Sequence, residues 1–513
     1  MPGNGLSFDG VIIGSGAGGS TLAYRLAQRG IATAIVEKGD FLRPKPGTAT
    51  VGLPLWDFQS GGALQDCVGG ETKFYGAVLA RLRERDFRAT QLERGVTPQW
   101  PISYADLEPY YCEAEKLYRV HGQADALEPP RSAPFPHPAI EHEPFIADLV
   151  KRIEAQGVRV SYLPKALDYG PGGSCVLCHT CDGHYCQRDA KMDAELAALR
   201  PALATGKVSL FTNTECVKIL TTPDGKRATG IRASRGGEQF DLHAGFVAAC
   251  AGIERTPGLL WRSRTEAHPN GLGNASGCLG RYYTGHSTGF IFPFTGWRKV
   301  PPLHQKTFTI NEYYHGSSDW PYPLGVIQVA GRMPIWRSSR LRRPLIKMYA
   351  TRSIHVFCMT EALPTKDSGW TFHPDGTVSF TQPLHNLETF ARLRAIGVEL
   401  FRRAGHWVYS PKRIIRLFHP VGSTRFGEDP AKSVADPWCQ VHGIQGLYLL
   451  DSGVIPSCGA MNITLTLIAL ALRTADKISG LRSSWHRAEK DSPHPTSRGT
   501  HATDTTDTRS RKP

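Results

Sequence analysis

Between two short apolar runs near the start of the chain lies Gly14-Ser15-Gly16-Ala17-Gly18-Gly19. The run before it, Phe8-Asp9-Gly10-Val11-Ile12-Ile13, reads as a strand. The run after it, Ser20-Thr21-Leu22-Ala23-Tyr24-Arg25-Leu26-Ala27, reads as a helix that Gly30 ends. Ile31-Ala32-Thr33-Ala34-Ile35-Val36 is a second strand of the buried kind, with Glu37 at its tip. This order is a βαβ unit. Gly14 permits the tight turn, Gly16 lets the backbone approach a pyrophosphate, and Gly19 packs helix on strand. The helix N-terminus offers N–H groups and a positive dipole end to phosphates. The carboxylate of Glu37 can accept hydrogen bonds from a ribose diol. A glycine-rich turn alone is weak evidence. Its place between strand and helix, with an acid at the right distance, marks Gly14, Ser15, Gly16, Gly19 and Glu37 as dinucleotide-binding positions, against the plainer reading of an ordinary glycine turn.

The 513 residues hold about two to four domains' worth of structure. A hydrophobic fraction of 41% with 21% charged residues fits a soluble globular protein. No apolar run approaches the ~18 residues of a membrane-spanning helix. A first strand beginning by Phe8 leaves no room for a secretory signal, so a cytoplasmic location is expected. Of the twelve cysteines, eight are scattered, and a disulfide framework is not expected in so long a chain without an export signal. The net charge of +14 comes partly from Arg332, Arg337, Arg340, Arg342, Arg343 and Lys347 around Trp336. That cluster reads as a solvated basic loop or as a docking surface for an acidic partner or membrane face. No nucleic-acid-binding motif accompanies it, so nucleic acid is not an expected partner.

Nucleotide-type segments recur at intervals. Val208-Ser209-Leu210-Phe211-Thr212, Cys216-Val217-Lys218-Ile219-Leu220, Phe246 to Gly252 and Gly446 to Asp451 all read as strands of one fold. Helical patterns are expected at 104–120, 143–157, 190–204, 386–404 and 464–478. Residues 285–385 alternate aromatic and β-branched residues with turns, which predicts an antiparallel sheet. The expected division is a discontinuous nucleotide domain (1–100, 206–284 and 430–480) with a helical and cysteine-rich connecting region (101–205), an inserted substrate domain (285–429), and a disordered tail (481–513) rich in Ser, Thr, Asp, Arg and His.

Several further segments together resemble the glucose–methanol–choline family of flavin oxidoreductases. Gly69-Gly70-Glu71-Thr72-Lys73-Phe74-Tyr75-Gly76, followed by Arg81 and Asp86-Phe87, is similar to its second signature. Trp100-Pro101-Ile102-Ser103-Tyr104, Ala251-Gly252 with Thr256-Pro257-Gly258-Leu259-Leu260, and His419-Pro420-Val421-Gly422-Ser423-Thr424-Arg425-Phe426-Gly427 follow in family order. Asp451 and Met461-Asn462-Ile463-Thr464-Leu465-Thr466 complete it, so the likeness runs from about Phe8 to Ile478. The resemblance implies an α/β fold: a Rossmann-like FAD-binding domain with an inserted α+β substrate domain on an antiparallel sheet. It also implies buried, noncovalent FAD whose flavin lies where the domains meet. In the family, Gly69, Gly70 and Thr72 belong to a loop around the flavin, Val217 resembles a residue whose backbone meets the adenine, Gly252 lies beside the flavin, and Asp451 resembles an acid near the ribityl chain. Val217 reads equally as a plain strand valine, and Asp451 as a strand-end turn residue. Two departures stand out: Asn462-Ile463 replaces the usual Asn-Pro, which loosens the loop carrying Asn462, and Ser423 replaces a Thr.

Hydride loss from a carbon bearing a hydroxyl requires a base near neutral pKa, and histidine is the natural group. His419 is the expected base and Asn462 the amide that orients the substrate oxygen. A satisfied structural histidine and a helix N-cap are the plainer readings of the two. The run Cys175-x2-Cys178-x2-Cys181-x4-Cys186 has a spacing at which thiolates hold an iron–sulfur cluster or zinc. A local disulfide and plain structural thiols are the other readings, and a cluster would point to an electron-acceptor protein as partner. The expected activity is FAD-dependent oxidation of an alcohol or carbohydrate, as oxidase or dehydrogenase. A flavin-dependent lyase of the same fold and a non-catalytic FAD-binding protein are the alternatives.

Overall fold

The computed structural model describes residues 6–42, 66–179, 181–296, 299–301, 303–331, 343–411 and 415–481. The βαβ unit forms as its pattern predicts: β1 (Leu6–Ile13), α1 (Ala17–Gln28) and β2 (Thr33–Val36). Val11 lies in register with Ala34 on one side and Val247 on the other, all in parallel pairs. The full order of this sheet is 215–221, 228–235, 238–249, β1, β2, 208–211, with Leu447–Leu449 also paired to the 238–249 strand. Its members come from stretches hundreds of residues apart in sequence.

The strand Glu238–Ala249 does two jobs. Its first half pairs antiparallel with Ala228–Arg235, and its last residues pair parallel with β1 and Leu447–Leu449. Polar residues Glu238, Gln239, Asp241 and His243 alternate along the half-solvated part, whereas Phe246 to Ala249 are wholly buried. The sequence pattern had marked only that buried end as a strand. The hairpin into it turns on Gly236 and Gly237, at φ +59° and +89°, the positive angles a two-residue hairpin turn requires.

Helix Thr464–Gly480 is buried on every side from Leu465 to Ala475, with an almost unbroken apolar run from Leu465 to Leu472, and reaches solvent in its last turn at Lys477. It packs on α1, where Arg25 reaches Asp476 with Nε at 2.9 Å and Nη2 at 3.0 Å. The segment before it closes still more tightly. A Cβ on Gly18 would lie 1.9 Å from the Leu450 carbonyl oxygen, and one on Gly19 would lie 2.1 Å from that of Gly14. These two glycines let helix, strand and C-terminal segment touch backbone to backbone.

The second sheet is antiparallel throughout, in the order 407–409, 284–294, 356–361, 326–329, 308–310, 161–162, with Ile415–Val421 also paired to the 284–294 strand. Helix Leu387–Arg403 covers it, burying Phe390, Leu393, Leu400 and Phe401 against Ile291, Ile327 and Cys358. The edge strand Ser161–Tyr162 comes from the stretch that the sequence had read as a connector. The molecule is therefore α/β with a Rossmann-like sheet and a second, antiparallel α+β layer. Among the described residues no helix is long and apolar enough to cross a membrane. The tail beyond Leu481, most of the 41–68 loop and Arg332 to Arg342 of the basic cluster lie outside the described residues.

A methyl group at Gly18 must displace the Leu450 carbonyl. Gly18→Ala is expected to cost about 1–3 kcal/mol through overpacking. A lower midpoint in thermal unfolding would show this, with the helix propensity gain of alanine working in the opposite direction.

Candidate active site

Glu37 caps the end of β2 and is 7% exposed. Its Oε2 accepts Ser15 N at 2.9 Å and Ser15 Oγ at 2.7 Å, and its Oε1 accepts Gly39 N at 2.9 Å. The acid thus braces the glycine turn itself. A carboxylate offers about four lone-pair sites, so it retains capacity for a diol. Ser15 Oγ in turn accepts Gly69 N at 3.1 Å, which draws the 66–76 loop onto the turn. A Cβ on Gly70 would stand 3.1 Å from Gly16 Cα. Thr72 Oγ accepts Ala194 N at 3.0 Å and donates to the Gly69 carbonyl at 2.6 Å. Beside it Lys73, 1% exposed, is ion-paired to Asp193 at 3.0 Å and to Glu195.

On the other flank, the Asp451 carboxylate accepts Gly252 N at 3.2 Å, Gly453 N at 2.8 Å and the Thr256 hydroxyl. Burial pushes its pKa up, against those three donors. Val217 sits where the ladder between 215–221 and 228–235 shifts register, between Cys216 and Lys218. That bulge leaves its backbone out of the regular pairing. The cradle has room: a Cβ on Gly16 or on Gly252 would meet nothing within 4 Å. No side chain caps α1 and no acid lies in its first turn, so its N–H groups stay available for an anion. Open space at Gly16 and Gly252, an uncapped helix N-terminus and a carboxylate at the strand tip fit a dinucleotide such as FAD.

His419 lies in the strand Ile415–Val421 with φ at +51°. Opposite it the pairing slips: His286 faces Phe418, while Thr284 faces Val421. One extra residue therefore sits on the His419 side, a bulge of the kind that re-aims side chains beside active sites. His419 Nε2 stands 3.2 Å from Asn462 Nδ2, and its Nδ1 stands 3.1 Å from His286 Nδ1. Asn462 Oδ1 is occupied by Gln328 Nε2 at 3.1 Å. Asn462 can thus only donate toward His419, so Nε2 of that ring carries the lone pair and Nδ1 the proton. His286 Nδ1 accepts this proton, and its own hydrogen is left on Nε2. Burial pushes the His419 pKa well below 6.5, and the neighbouring His286 and Lys306 push the same way. Burial holds His286 at about 4, although the backbone of Cys458 and Gly459 favours its charged form. Both rings are neutral at neutral pH, and Nε2 of His419 is a base ready to take a proton.

The plainer reading of Asn462 as a helix cap is not what the structure shows. The cap position is Ile463, with no side-chain cap bond, and the amide of Asn462 is spent on His419 and Gln328. His286 and Gln328 escaped the sequence reading. Gln328 did leave a trace, as the single polar residue inside Val326-Ile327-Gln328-Val329.

The cysteine loop resolves differently from its spacing. Among the described residues no three His, Cys, Asp or Glu side chains are grouped to hold a metal ion. An iron–sulfur cluster or zinc on Cys175, Cys178, Cys181 and Cys186 thus finds no support, and structural thiols are the reading left. The loop is organised by lysines instead. Lys191 Nζ donates to the carbonyls of Tyr75, Cys181 and His184 at 3.0, 3.1 and 2.7 Å. Asp182 binds Lys306 Nζ at 2.7 and 2.9 Å and accepts Gly331 N at 2.7 Å. Burial alone would raise the Asp182 pKa, but Lys306 and Lys165 hold it below the carboxylate range. The loop is thereby tied to the second sheet near His419. Burial pushes the Cys175 thiol up to about 11.

Sequence comparison agrees with this geometry. Profiles described as GMC oxidoreductase match residues 66–286 and 399–471, and one described as an NAD(P)-binding Rossmann-like domain matches 12–44. Paromamine 6'-oxidase of Streptomyces fradiae is 27% identical over 94% of this chain and 93% of its own. The 2-methyl-1,2-propanediol dehydrogenase of Mycolicibacterium austroafricanum is 25% identical over 92% of this chain and 95% of its own. Among solved structures, pyridoxine 4-oxidase from Mesorbium loti superposes with a TM-score of 0.61 at 16% identity, covering 92% of this chain and 99% of that one. A formate oxidase superposes at 0.63 and 14% identity, covering 94% and 100%. At those identities the two structures speak for the fold.

Lys73→Met leaves Asp193, 3% exposed in its side chain, without its cation, while Glu195 keeps only Arg200 at 2.7 Å. Breaking such a buried pair is expected to cost about 3–5 kcal/mol. Denaturant unfolding at neutral pH measures it. A loss under about 1 kcal/mol would mean that solvent reaches the pair.

Proposed function

Because the chain belongs to the GMC oxidoreductase family, we propose that it is an FAD-dependent enzyme that oxidises the CH–OH group of a sugar, glycoside or other alcohol. The observation that carries this reading is the His419–Asn462 contact at 3.2 Å, with Gln328 fixing the amide and His286 fixing the ring. Bound FAD would supply the hydride acceptor. The remaining work falls to the chain. With substrate in place, the Asn462 N–H that meets His419 Nε2 donates to the substrate oxygen instead, which orients the substrate and frees the Nε2 lone pair. His419 Nε2 takes the hydroxyl proton as the C–H bond breaks, and the positive charge on its ring is shared toward the Nδ1 of His286.

Noncovalent FAD is held by the residues that line the cradle. The N-terminus of α1 with Gly14, Gly16 and Gly19 takes the pyrophosphate, Glu37 and Ser15 the adenosine ribose, and the backbone of Val217 the adenine. Gly69, Gly70 and Thr72 form the loop over the flavin, and Gly252 and Asp451 the turn beside its ribityl chain. Support comes from the open space at Gly16 and Gly252 and from the bulge at Val217. A carbohydrate alcohol is the favoured substrate, supported by the full-length likeness to paromamine 6'-oxidase.

The test is anaerobic mixing of the yellow protein with paromamine, D-glucose, methyl glucoside, glycerol and benzyl alcohol. Bleaching of the oxidised flavin band by a sugar supports the reading. Carbonyl release without bleaching indicates a lyase, and a protein that takes up no FAD defeats the reading altogether. Peroxide formed in air marks an oxidase, and its absence with turnover to an artificial acceptor marks a dehydrogenase that uses a separate electron acceptor. His419→Ala is expected to slow flavin reduction by about 10²–10⁴-fold with FAD still bound. Since the His419 pKa lies below 6.5, the base stays neutral as the solution is acidified through that value. The acid limb of kcat/KM is expected below the ordinary histidine range, and a limb at or above pH 6.5 would contradict it.

A further inference from the structure

Asn462 is carried by a turn that lacks the expected proline, yet that turn is held at four successive residues, three of them through the backbone. Trp100 Nε1 donates to Ser457 Oγ at 2.8 Å. Glu361 Oε1 accepts both Cys458 N at 3.0 Å and Gly459 N at 2.8 Å. Tyr314 Oη accepts Ala460 N at 3.2 Å and donates to Asp86 Oδ2 at 2.6 Å, and the same Asp86 oxygen accepts Arg83 N at 2.7 Å. Gly459 is at φ +54°, and a Cβ there would stand 2.5 Å from Tyr314 Oη and 2.7 Å from Asp86 Cγ. Glu361, 8% exposed, ends the strand Val356–Glu361 directly opposite His286 in the ladder. One carboxyl group therefore joins the strand that carries the partner of His419 to the turn that carries Asn462.

We propose that Glu361 is a positioning residue for this active site, a brace that sets the Asn462 turn against the histidine pair in place of the missing proline. The inference rests on the roles given above to His419 and Asn462. Two N–H donors on one buried oxygen fix the direction of the turn three residues before Asn462. Small displacements of a positioning group reach the chemistry strongly, about 10²-fold for 1 Å.

The brace is also charge-sensitive. Asp86, Arg83 and Arg85 from the 83–87 turn, Tyr314, Cys458 and the opposite His286 all face Glu361 or its partners. Burial and the neighbouring Asp86 push Glu361 up to about 8, and burial pushes Asp86 to about 6 against its Tyr314 and Arg83 bonds. At neutral pH Glu361 is thus protonated and still accepts both N–H groups. A carboxyl raised from 4.5 to about 8 binds its proton more tightly in the folded state. Its stabilising contribution is full below pH 4.5 and is lost as pH rises through about 8.

Three variants of the FAD-loaded protein test this. Glu361→Gln keeps the acceptor oxygen without the titration. It is expected to hold flavin, to reduce it within a few-fold of the parent rate with the fastest donor of the panel, and to lose the fall of Tm expected of the parent between pH 5 and 9. Glu361→Ala is expected to lower kcat about 10–100-fold with KM changed far less and flavin content unchanged. Asp86→Asn is expected to move the Tm transition to lower pH by removing the neighbouring carboxylate. A Glu361→Ala enzyme with bound flavin and parental kcat would overturn the proposal. So would an unaltered Tm–pH curve in Glu361→Gln, a readout that needs no turnover. The His419→Ala measurement keeps the two readings apart: full turnover there removes the base assignment whatever Glu361 does.

Discussion

Backbone contact between the first helix and the C-terminal segment is the constraint on which the rest depends. Gly18 sits against the Leu450 carbonyl, closer than any side chain would permit. Leu450 directly precedes Asp451, which ties down the Gly252 turn. A few residues on, the chain runs through the turn that carries Asn462 and into the helix that packs on α1. The same contact that shapes the nucleotide cradle thus sets where the catalytic amide stands. Two sites separated by more than four hundred residues in sequence become one rigid object, because close-packed interiors transmit position.

Around that frame the molecule buries charged groups, and the lysines among them have named partners. Lys73, Lys191 and Lys306 organise the loops over the site through carbonyls and carboxylates. Such pairs add little net stability against apolar packing, but they are costly to break and fix geometry. The histidines follow the opposite logic. No carboxylate touches His419 or His286 in the hydrogen-bond pattern around them, so burial leaves both rings neutral. The histidines are left without a proton to spare, whereas the lysines around them serve as hydrogen-bond donors.

The sequence carried much of this. The glycine turn, the acid at the tip of β2 and the two later helices were legible because their periodicity and spacing are local. The order of the family segments carried the cofactor and the reaction class. The metal reading of the cysteine loop found no support, because spacing along a chain does not by itself set the geometry that a metal needs. The lysines that pull on the loop come from Lys191, five residues beyond Cys186, and from Lys306, far downstream. Ala228–Arg235 and the first half of Glu238–Ala249 were missed because half-solvated strands interleave polar residues that hide the pattern.

What the sequence by itself determined is the βαβ cradle, the helices of strong period and the antiparallel sheet, and the family resemblance singled out His419 and Asn462 as the groups proposed for the chemistry. Only the tertiary structure places His286 and Gln328 against that pair and Glu361 against the turn before Asn462. Their signal is a register slip in one ladder, a single buried amide in an apolar strand and a carboxyl facing a distant turn. None of these has a local pattern, because hydrogen bonds between strands are set by how the chain returns on itself and not by which residues stand next to one another.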